Sequence, residues 1–545
     1  MKRVMGVVAG VALLVGGIVS ADGTALATGA RGMPGDVAWA PCPSEPERAT
    51  SADLECATVR VPLDYREPMG QAITLAINRI KAKVSRDANH LGTLLVNPGG
   101  PGASGRELTE FVAAALPQDV SERYDIVGFD PRGVGGSEPA VHCVDPETYF
   151  KAPRPDAVPH GEAEERVLLS RAADYANRCG DHWAWLLPYL TTENSARDMD
   201  SIRAALGEEK ISYLGYSYGT YLGAVYATLF PSRVKRLVMD STIDPTLVWY
   251  ESNLRQDSAF EHRHRQFLAW TARHNSAYKL GATAKQTSFA YYAMRDRLHA
   301  RPAGGIVGPS ELDDIYTTAG YSDRVWPQFA QAWSSYVRQG DVGGLLGLYE
   351  KYGKDDAKAE NGYAIYLGVQ CTDAKWPREW GKWKADMTRM HRQAPFMTWP
   401  NAWFNAPCLY WSAPGGTPVD VKGSRKLPPI LMIQSRDDAA TPYKGALEMR
   451  RHFDRATMVV EGGGNHGVSL AGNTCVDARL AAYLRDGTLP RRDVECPALP
   501  EPKASQRMAA ETSAEGLLGL LGLLQPHIAR NLGPSRPGGI AYGAA

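Results

Sequence analysis

The segment "YLGYSYGTYLG", residues 213 to 223, places Ser217 between Gly215 and Gly219. An apolar run precedes it and a run typical of a helix follows. Gly-x-Ser-x-Gly at such a junction predicts a sharp strand-to-helix turn that lifts the serine hydroxyl clear of the sheet. The two glycines let the strand and the helix approach each other. The pattern therefore predicts Ser217 as the nucleophile of a covalent mechanism.

A serine nucleophile needs a histidine base and a carboxylate that orients it, in the chain order Ser, acid, His. His466 in "VVEGGGNHGVSL" follows a late apolar run and lies in a glycine-rich loop. For the acid, "ILMIQSRDDAATP" offers Asp438, which we favour, and Asp437 as an alternative. Asp240, at the end of "RLVMD", is a rival at the end of an earlier strand.

The negative oxygen that forms during acyl transfer needs two N–H donors. One should come from the residue after the nucleophile, which is Tyr218. The other should come from the loop after an earlier strand, and "LLVNPGGPGASG" fits that place. We predict Gly100 as this donor, with Gly99 next.

Short apolar runs alternate with helical stretches along the chain, which predicts a mostly parallel sheet covered by helices. Six runs are expected to be strands: "TLLVNPGG", "YDIVGFDPRG", "ISYLGYS", "RLVMDST", "PPILMIQSRDD" and "ATMVVEGGG". With the serine motif, this pattern predicts an α/β-hydrolase fold, and a long Trp-, Tyr- and Arg-rich stretch before the fifth run predicts a helical cap. The predicted domains are a signal peptide (1–27), the core in two parts (40–244 and 426–498), the cap (245–425) and a tail (499–545).

The 545 residues carry 60 Lys plus Arg and 60 Asp plus Glu, so the formal charge is zero. No basic stretch predicts a nucleic-acid partner. Lys2 and Arg3 precede an apolar run and small residues, which predicts export with cleavage after Ala27, or alternatively after Ala21. An uncleaved membrane anchor is a weaker interpretation because the run is short for a bilayer span. We expect a secreted, extracellular protein without membrane contact after cleavage.

The chain contains eight cysteines without the spacing of a zinc site, so we predict no metal. An even number in an exported chain favours disulfides. Neighbours in sequence can close four local loops, although other pairings stay open: Cys42 with Cys56, Cys143 with Cys179, Cys371 with Cys408, and Cys475 with Cys496.

Seven segments together resemble the secreted tripeptidyl aminopeptidases of actinomycetes, which are related to proline iminopeptidases. The segments are "VPLDY", "NPGGPGASG", "FDPRGVGGS", "GYSYG", "SRDDAATP", "GGNHG" and "CVDARLAAYLRDGTLP". The resemblance extends from about residue 40 to about 498. It implies that Ser217, Asp438 and His466 form a triad and that Gly100 donates to the oxyanion.

The resemblance further implies release of short peptides from free amino termini, without a cofactor. An ammonium group that loses its water needs an anionic partner, for which Glu251 and Asp373 are candidates. Two other functions stay open. One is an esterase or amidase for small acyl substrates, and the other is a catalytically silent binding protein. The oligomeric state is not predicted.

Overall fold

The computed structural model describes residues 37–43 and 53–504. The predicted signal peptide over 1–27 lies outside the described residues, as does the tail from residue 505 onward. Ten strands form one sheet: β1 (Ala40–Pro41), β2 (Leu54–Pro62), β3 (Ala72–Ile80), β4 (Thr93–Asn97), β5 (Asp125–Phe129), β6 (Ile211–Tyr216), β7 (Val234–Asp240), β8 (Ile430–Ser435), β9 (Ala456–Glu461) and β10 (Val494–Cys496).

The strand order is β1-β2-β3-β5-β4-β6-β7-β8-β9-β10. The pairs from β5 to β10 are all parallel, whereas β1, β2 and β3 pair antiparallel at one edge. The six predicted strands are β4 to β9, so the prediction of a mostly parallel sheet is confirmed. Because β6, β7, β8 and β9 run side by side in one direction, the loops that follow them meet at one edge.

Helices fill the connections between these strands. They are α1 (Leu108–Ala115), α2 (Gln118–Ser121), α3 (Pro146–Tyr149), α4 (Glu162–Trp183), α5 (Thr192–Ala205), α6 (Tyr218–Leu229), α7 (Tyr250–Arg273), α8 (Asn275–Tyr278), α9 (Ala284–Ala300), α10 (Pro309–Tyr321), α11 (Trp326–Gln339), α12 (Gly343–Tyr352), α13 (Ala357–Asp373), α14 (Trp380–His391), α15 (Thr398–Asn405), α16 (Tyr443–His452) and α17 (Thr474–Asp486). None of the helices in residues 37–43 and 53–504 is long and apolar enough to cross a membrane.

The sheet is buried on both faces, as its apolar runs predict. Leu94 and Val96 of β4 point to one face and pack with residues of α1 and α17. Leu95 between them points to the opposite face, where α5 and α6 pack.

The chain between β7 and β8 folds into helices α7 to α15, which confirms the predicted helical insertion. These helices have an aromatic core of their own that includes Phe267, Trp270, Tyr316 and Trp333. We call this insertion the cap. Its predicted bounds, 245–425, stay a prediction.

The start of the predicted tail is packed against the rest of the protein. Trp270 of the cap donates from Nε1 to the carbonyl of Pro502, at 3.0 Å. The N–H of Leu499 donates to the Glu461 carboxylate in the core. Contacts with the cap and the core therefore continue beyond 498, the expected end of the core.

All eight cysteines form disulfides between the neighbours predicted from the sequence. The bond between Cys371 and Cys408 joins the end of α13 to the short turn after α15, both within the cap. The bond between Cys475 and Cys496 fastens α17 to the edge strand β10. Each bond thus holds a local loop.

Candidate active site

The predicted serine turn lies between β6 and α6. Ser217 has φ 55° and ψ −124°, which is a left-handed conformation that non-glycine residues rarely adopt. A side chain on Gly215 would overlap with the carbonyl of Gly219, and a Cβ on Gly219 would lie 2.8 Å from Asn97 Oδ1. The glycines are therefore required by close backbone approach, and the strained turn presents the serine at the edge of the sheet.

His466 and Asp438 are adjacent and fully buried. Nδ1 of His466 lies 2.9 and 3.0 Å from the two carboxylate oxygens. The opposite ring nitrogen, Nε2, is buried and has no hydrogen-bond partner among the described residues. Since Asp438 holds one nitrogen, the other is available to accept a proton.

The turn after β8 fixes the Asp438 carboxylate. The N–H groups of Ala440 and Thr441 both donate to Oδ1 at 2.9 Å, and the Thr441 hydroxyl donates to Oδ2 at 2.9 Å. These donors satisfy the buried carboxylate oxygens and orient the group toward the His466 ring.

Asp437, the alternative acid, points away from His466. Its side chain is 36% exposed and accepts a hydrogen bond from Gln266 Nε2 at 2.8 Å. His262 Nε2 lies 3.7 Å from it. The structure thus places Asp438, and not its neighbour, beside His466.

Asp240, the rival acid on β7, binds the backbone of the loop that carries His466. Its carboxylate accepts from the N–H groups of Val468 and Ser469, at 3.1 and 2.7 Å, and from the Ser469 hydroxyl. Its backbone carbonyl accepts from the N–H of Ser217 at 2.9 Å. Burial raises the pKa of this carboxyl. Asp240 therefore joins the serine turn to the histidine loop without contacting the imidazole.

The cap holds the same loop from the other side. Tyr321 of α10 accepts from the N–H of His466 at 2.9 Å through its carbonyl, and its ring lies edge-on to the imidazole with centroids 5.4 Å apart. Asn465 exchanges two hydrogen bonds with Asp323, at 2.9 and 3.1 Å. The histidine loop is thus fixed between cap and core.

The two glycines predicted for oxyanion binding differ in their surroundings. The N–H of Gly99 donates to Asn97 Oδ1 at 2.9 Å, so this N–H already has a hydrogen-bond partner. Gly100 lines the same cavity as Ser217 and Tyr218. This arrangement favours Gly100 over Gly99 as the donor from the loop after β4.

The cavity at Ser217 has a volume of about 30 Å³ and lies between core and cap. Its roof is rich in side-chain amides from the cap. Asn253 Nδ2 and Gln370 Oε1 are buried there and have no hydrogen-bond partner within the described chain. The cap residues that line the cavity include Trp249, Ser252, Asn253, Gln256, Tyr321, Tyr366, Gln370, Asn401 and Phe404.

Neither predicted ammonium-binding carboxylate lines this cavity. Glu251, the second residue of α7, is exposed, whereas Ser252 and Asn253 next to it line the cavity. Asp373 is buried and accepts from the N–H of Thr192 at 2.7 Å and from Trp249 Nε1 at 3.3 Å. Burial raises the pKa of Asp373 to about 6. Asp373 therefore joins the cap to the core behind the cavity.

Sequence reasoning missed Asp257, one helical turn after Asn253 on α7. Its side chain is buried and accepts from Nδ2 of Asn401 at 2.8 Å. Burial raises the pKa of this carboxyl well above its ordinary value. The i, i+4 spacing from Asn253 was a signal, but it becomes meaningful only once α7 is known to cover Ser217.

Comparisons with known proteins agree with this geometry. Residues 92–472 match the family model described as "alpha/beta hydrolase fold", a range that includes Ser217, Asp438 and His466. The chain is 44% identical to the tripeptidyl aminopeptidase of Streptomyces lividans, over 87% of this chain and 89% of that protein. It is 33% identical to the serine protease Hip1 of Mycobacterium tuberculosis, over 84% and 91%. It is 34% identical to carboxylesterase B of the same organism, over 81% and 86%.

Proposed function

This chain belongs to the α/β-hydrolase family, among relatives that include tripeptidyl aminopeptidases, and we propose that it is a secreted serine exopeptidase. In this proposal it releases short peptides, chiefly tripeptides, from free amino termini. The observation that carries the proposal is the buried His466–Asp438 pair whose Nε2 is unpartnered among the described residues, at the sheet edge where Ser217 is held under a cap.

The proposed reaction is acyl transfer. His466 takes the proton of Ser217 at Nε2 as the serine oxygen attacks the scissile carbonyl carbon. Asp438 keeps the Nδ1 proton in place and stabilises the imidazolium that forms. His466 then gives the proton to the leaving amine, and the C–N bond breaks. Water, activated by the same histidine, hydrolyses the ester on Ser217 and releases the short peptide.

The N–H groups of Tyr218 and Gly100 are proposed to bind the oxyanion. Tyr218 is the first residue of α6, so its N–H is one of the helix-terminal donors that lack a partner within the helix. Gly100 lines the cavity beside it. Donors that are fixed before the reaction stabilise developing charge without reorganisation.

Asp257 is the carboxylate we propose for the substrate ammonium group. It lies behind Asn401, which lines the cavity, and it is paired only through that amide in the described structure. An entering ammonium would favour the ionised carboxylate and so lower its raised pKa. Because the cavity of about 30 Å³ holds roughly one water, a peptide fits only after cap side chains move.

Secretion is supported by four disulfides, which persist in oxidising compartments. The predicted signal peptide agrees with this, and its cleavage site stays a prediction. N-terminal sequencing of the exported protein would distinguish cleavage after Ala27 from cleavage after Ala21.

The test is hydrolysis of matched chromogenic peptides by wild type and Ser217→Ala. We expect the variant to fold and to lose on the order of a million-fold in kcat. Wild type should cleave a tripeptide with a free amino terminus at least a hundredfold faster than its acetylated form, because the blocked substrate leaves a buried carboxylate unpaired. Full activity of Ser217→Ala would exclude the mechanism.

An esterase is the second candidate, because one relative of this chain is named carboxylesterase B. The same triad would serve both reactions, so the cap decides between them. Equal kcat/KM for acetylated and free peptides, together with faster cleavage of short acyl esters, would favour the esterase.

A further inference from the structure

Two histidines and an aspartate lie together where the connection before α4 meets the cap, away from Ser217. Asp156 and His160 belong to that connection, and His299 lies in the last turn of α9. One potential ligand atom from each residue lies within 4.8 Å of the other two. Two imidazoles and a carboxylate are a common ligand set for zinc.

The three side chains need only small movements to reach the geometry of a zinc site. His299 Nδ1 is 2.8 Å from Asp156 Oδ2, and the rings of His160 and His299 have centroids 4.7 Å apart. In a tetrahedral zinc site neighbouring ligand atoms lie about 3.4 Å apart, given metal–ligand distances of about 2.1 Å. Both imidazoles are exposed, so small rotations bring their nitrogens to that spacing.

The Asp156 carboxylate is fixed in place. Its side chain is 4% exposed and accepts from two nitrogens of Arg295, at 2.5 and 3.2 Å. Two bonds from Arg295 therefore hold the carboxylate beside His299 Nδ1.

The charged groups around the cluster favour the binding of a cation. The Arg295 guanidinium is also paired with Asp313, at 2.9 Å, so two carboxylates face one positive charge. The Glu164 carboxylate lies 3.4 Å from His160 Nδ1 and accepts from the N–H of His160 at 2.7 Å. The Glu164 contact also holds the backbone of His160 at the cluster.

We propose that Asp156, His160 and His299 bind one zinc ion that links the connection before α4 to cap helix α9. Water would complete the tetrahedral coordination. The ion would join two segments that are distant in sequence. It would add to the hydrogen bonds that already hold the connection to the cap at Ser310 and Trp403. Its role is structural and independent of the proposed triad.

The experiment is calorimetric titration of the full mature protein, after removal of bound metal with a chelator and then of the chelator. Zinc should bind with one ion per chain and raise Tm. Magnesium should show no binding heat, because imidazole ligands do not suit it. His160→Ala and His299→Ala should each weaken zinc binding at least tenfold and reduce the rise in Tm at a given zinc concentration. His182→Ala removes another exposed histidine and should bind zinc like wild type.

His299→Gln provides a second test if the alanine variant is unstable, because glutamine can still bond to Asp156. Equal Tm values for the metal-free variants and wild type would establish that the fold is intact. Zinc bound elsewhere, for example at His466, would persist in both histidine variants. Absence of binding in wild type, or unchanged binding in both variants, would overturn the proposal.

Discussion

Replacement of Asp438 by asparagine should nearly abolish turnover while leaving the fold in place. The carboxylate now accepts from His466 Nδ1 and from three donors in the turn after β8. Asparagine has the same shape but offers only one acceptor oxygen. If the backbone donors of the turn keep that oxygen, the amide NH₂ of the asparagine donates to Nδ1 of His466. The imidazole proton then lies on Nε2, and Nε2 can no longer accept the proton of Ser217.

The expected loss in kcat is about 10⁴-fold, the magnitude associated with the wrong histidine tautomer in a serine triad. At about 1.36 kcal/mol per tenfold, this equals about 5.4 kcal/mol of transition-state stabilisation. The cost in folding stability should be smaller, about 1–3 kcal/mol, because one buried group loses an ideal partner. Steady-state kinetics on a chromogenic tripeptide and thermal melts measure the two quantities separately.

Two matched variants test whether Asp438, and not Asp437 or Asp240, is the acid that orients His466. Asp437→Asn changes a partly exposed side chain that contacts Gln266 and should alter kcat by less than about threefold. Asp240→Asn disturbs the loop after His466, so it should lower Tm and reduce kcat by up to about a hundredfold through misplacement of the ring. An Asp438→Asn variant that retained a tenth of wild-type turnover, or an inactive Asp437→Asn, would refute the reasoning.

Three further outcomes are expected. The mature protein should show no reactive thiols in denaturant, and reduction should lower Tm, since each disulfide typically contributes about 2–4 kcal/mol; several titratable thiols would contradict the pairing. Asp257→Asn should reduce kcat/KM for free-amine peptides about 30-fold or more and leave acetylated peptides unaffected; an equal effect on both would remove its role in ammonium binding. Asp373 has a pKa raised to about 6, so between about pH 4 and 6 the unfolded state ionises while the folded state keeps the proton, and stability falls as pH rises. Tm of Asp373→Asn minus Tm of wild type should therefore increase across that interval, and a constant difference would contradict the assignment.

The sequence predicts those parts of the site that are encoded locally. Ser217 is recognisable because the turn itself requires Gly215 and Gly219. The preference for Asp438 over Asp437 also agrees with the structure, since the turn after β8 directs one carboxylate inward and leaves the other partly exposed. Strands β4 to β9 are continuous apolar runs because both faces of the sheet are covered.

The remaining features depend on contacts between distant segments, which no local pattern encodes. Glu251 does not line the cavity, because the direction of a cap side chain follows from how α7 packs, and Asp257 on the same helix lies behind the cavity residue Asn401. No spacing links Asp240 to Ser469, more than two hundred residues later, yet the two are hydrogen bonded. The antiparallel strands β2 and β3 were also not predicted, although their apolar residues alternate.

The contacts of the cap with the histidine loop limit how this enzyme can be recombined with its relatives. Tyr321 accepts the His466 N–H, and Asp323 holds Asn465. A chimaera that received another hydrolase's cap to change its specificity would lose these supports together with the cap side chains that line the cavity at Ser217. Grafts that keep residues 321–323 and exchange only the segments around α7, α13 and α15 should therefore yield active hybrids more often than whole-cap exchanges.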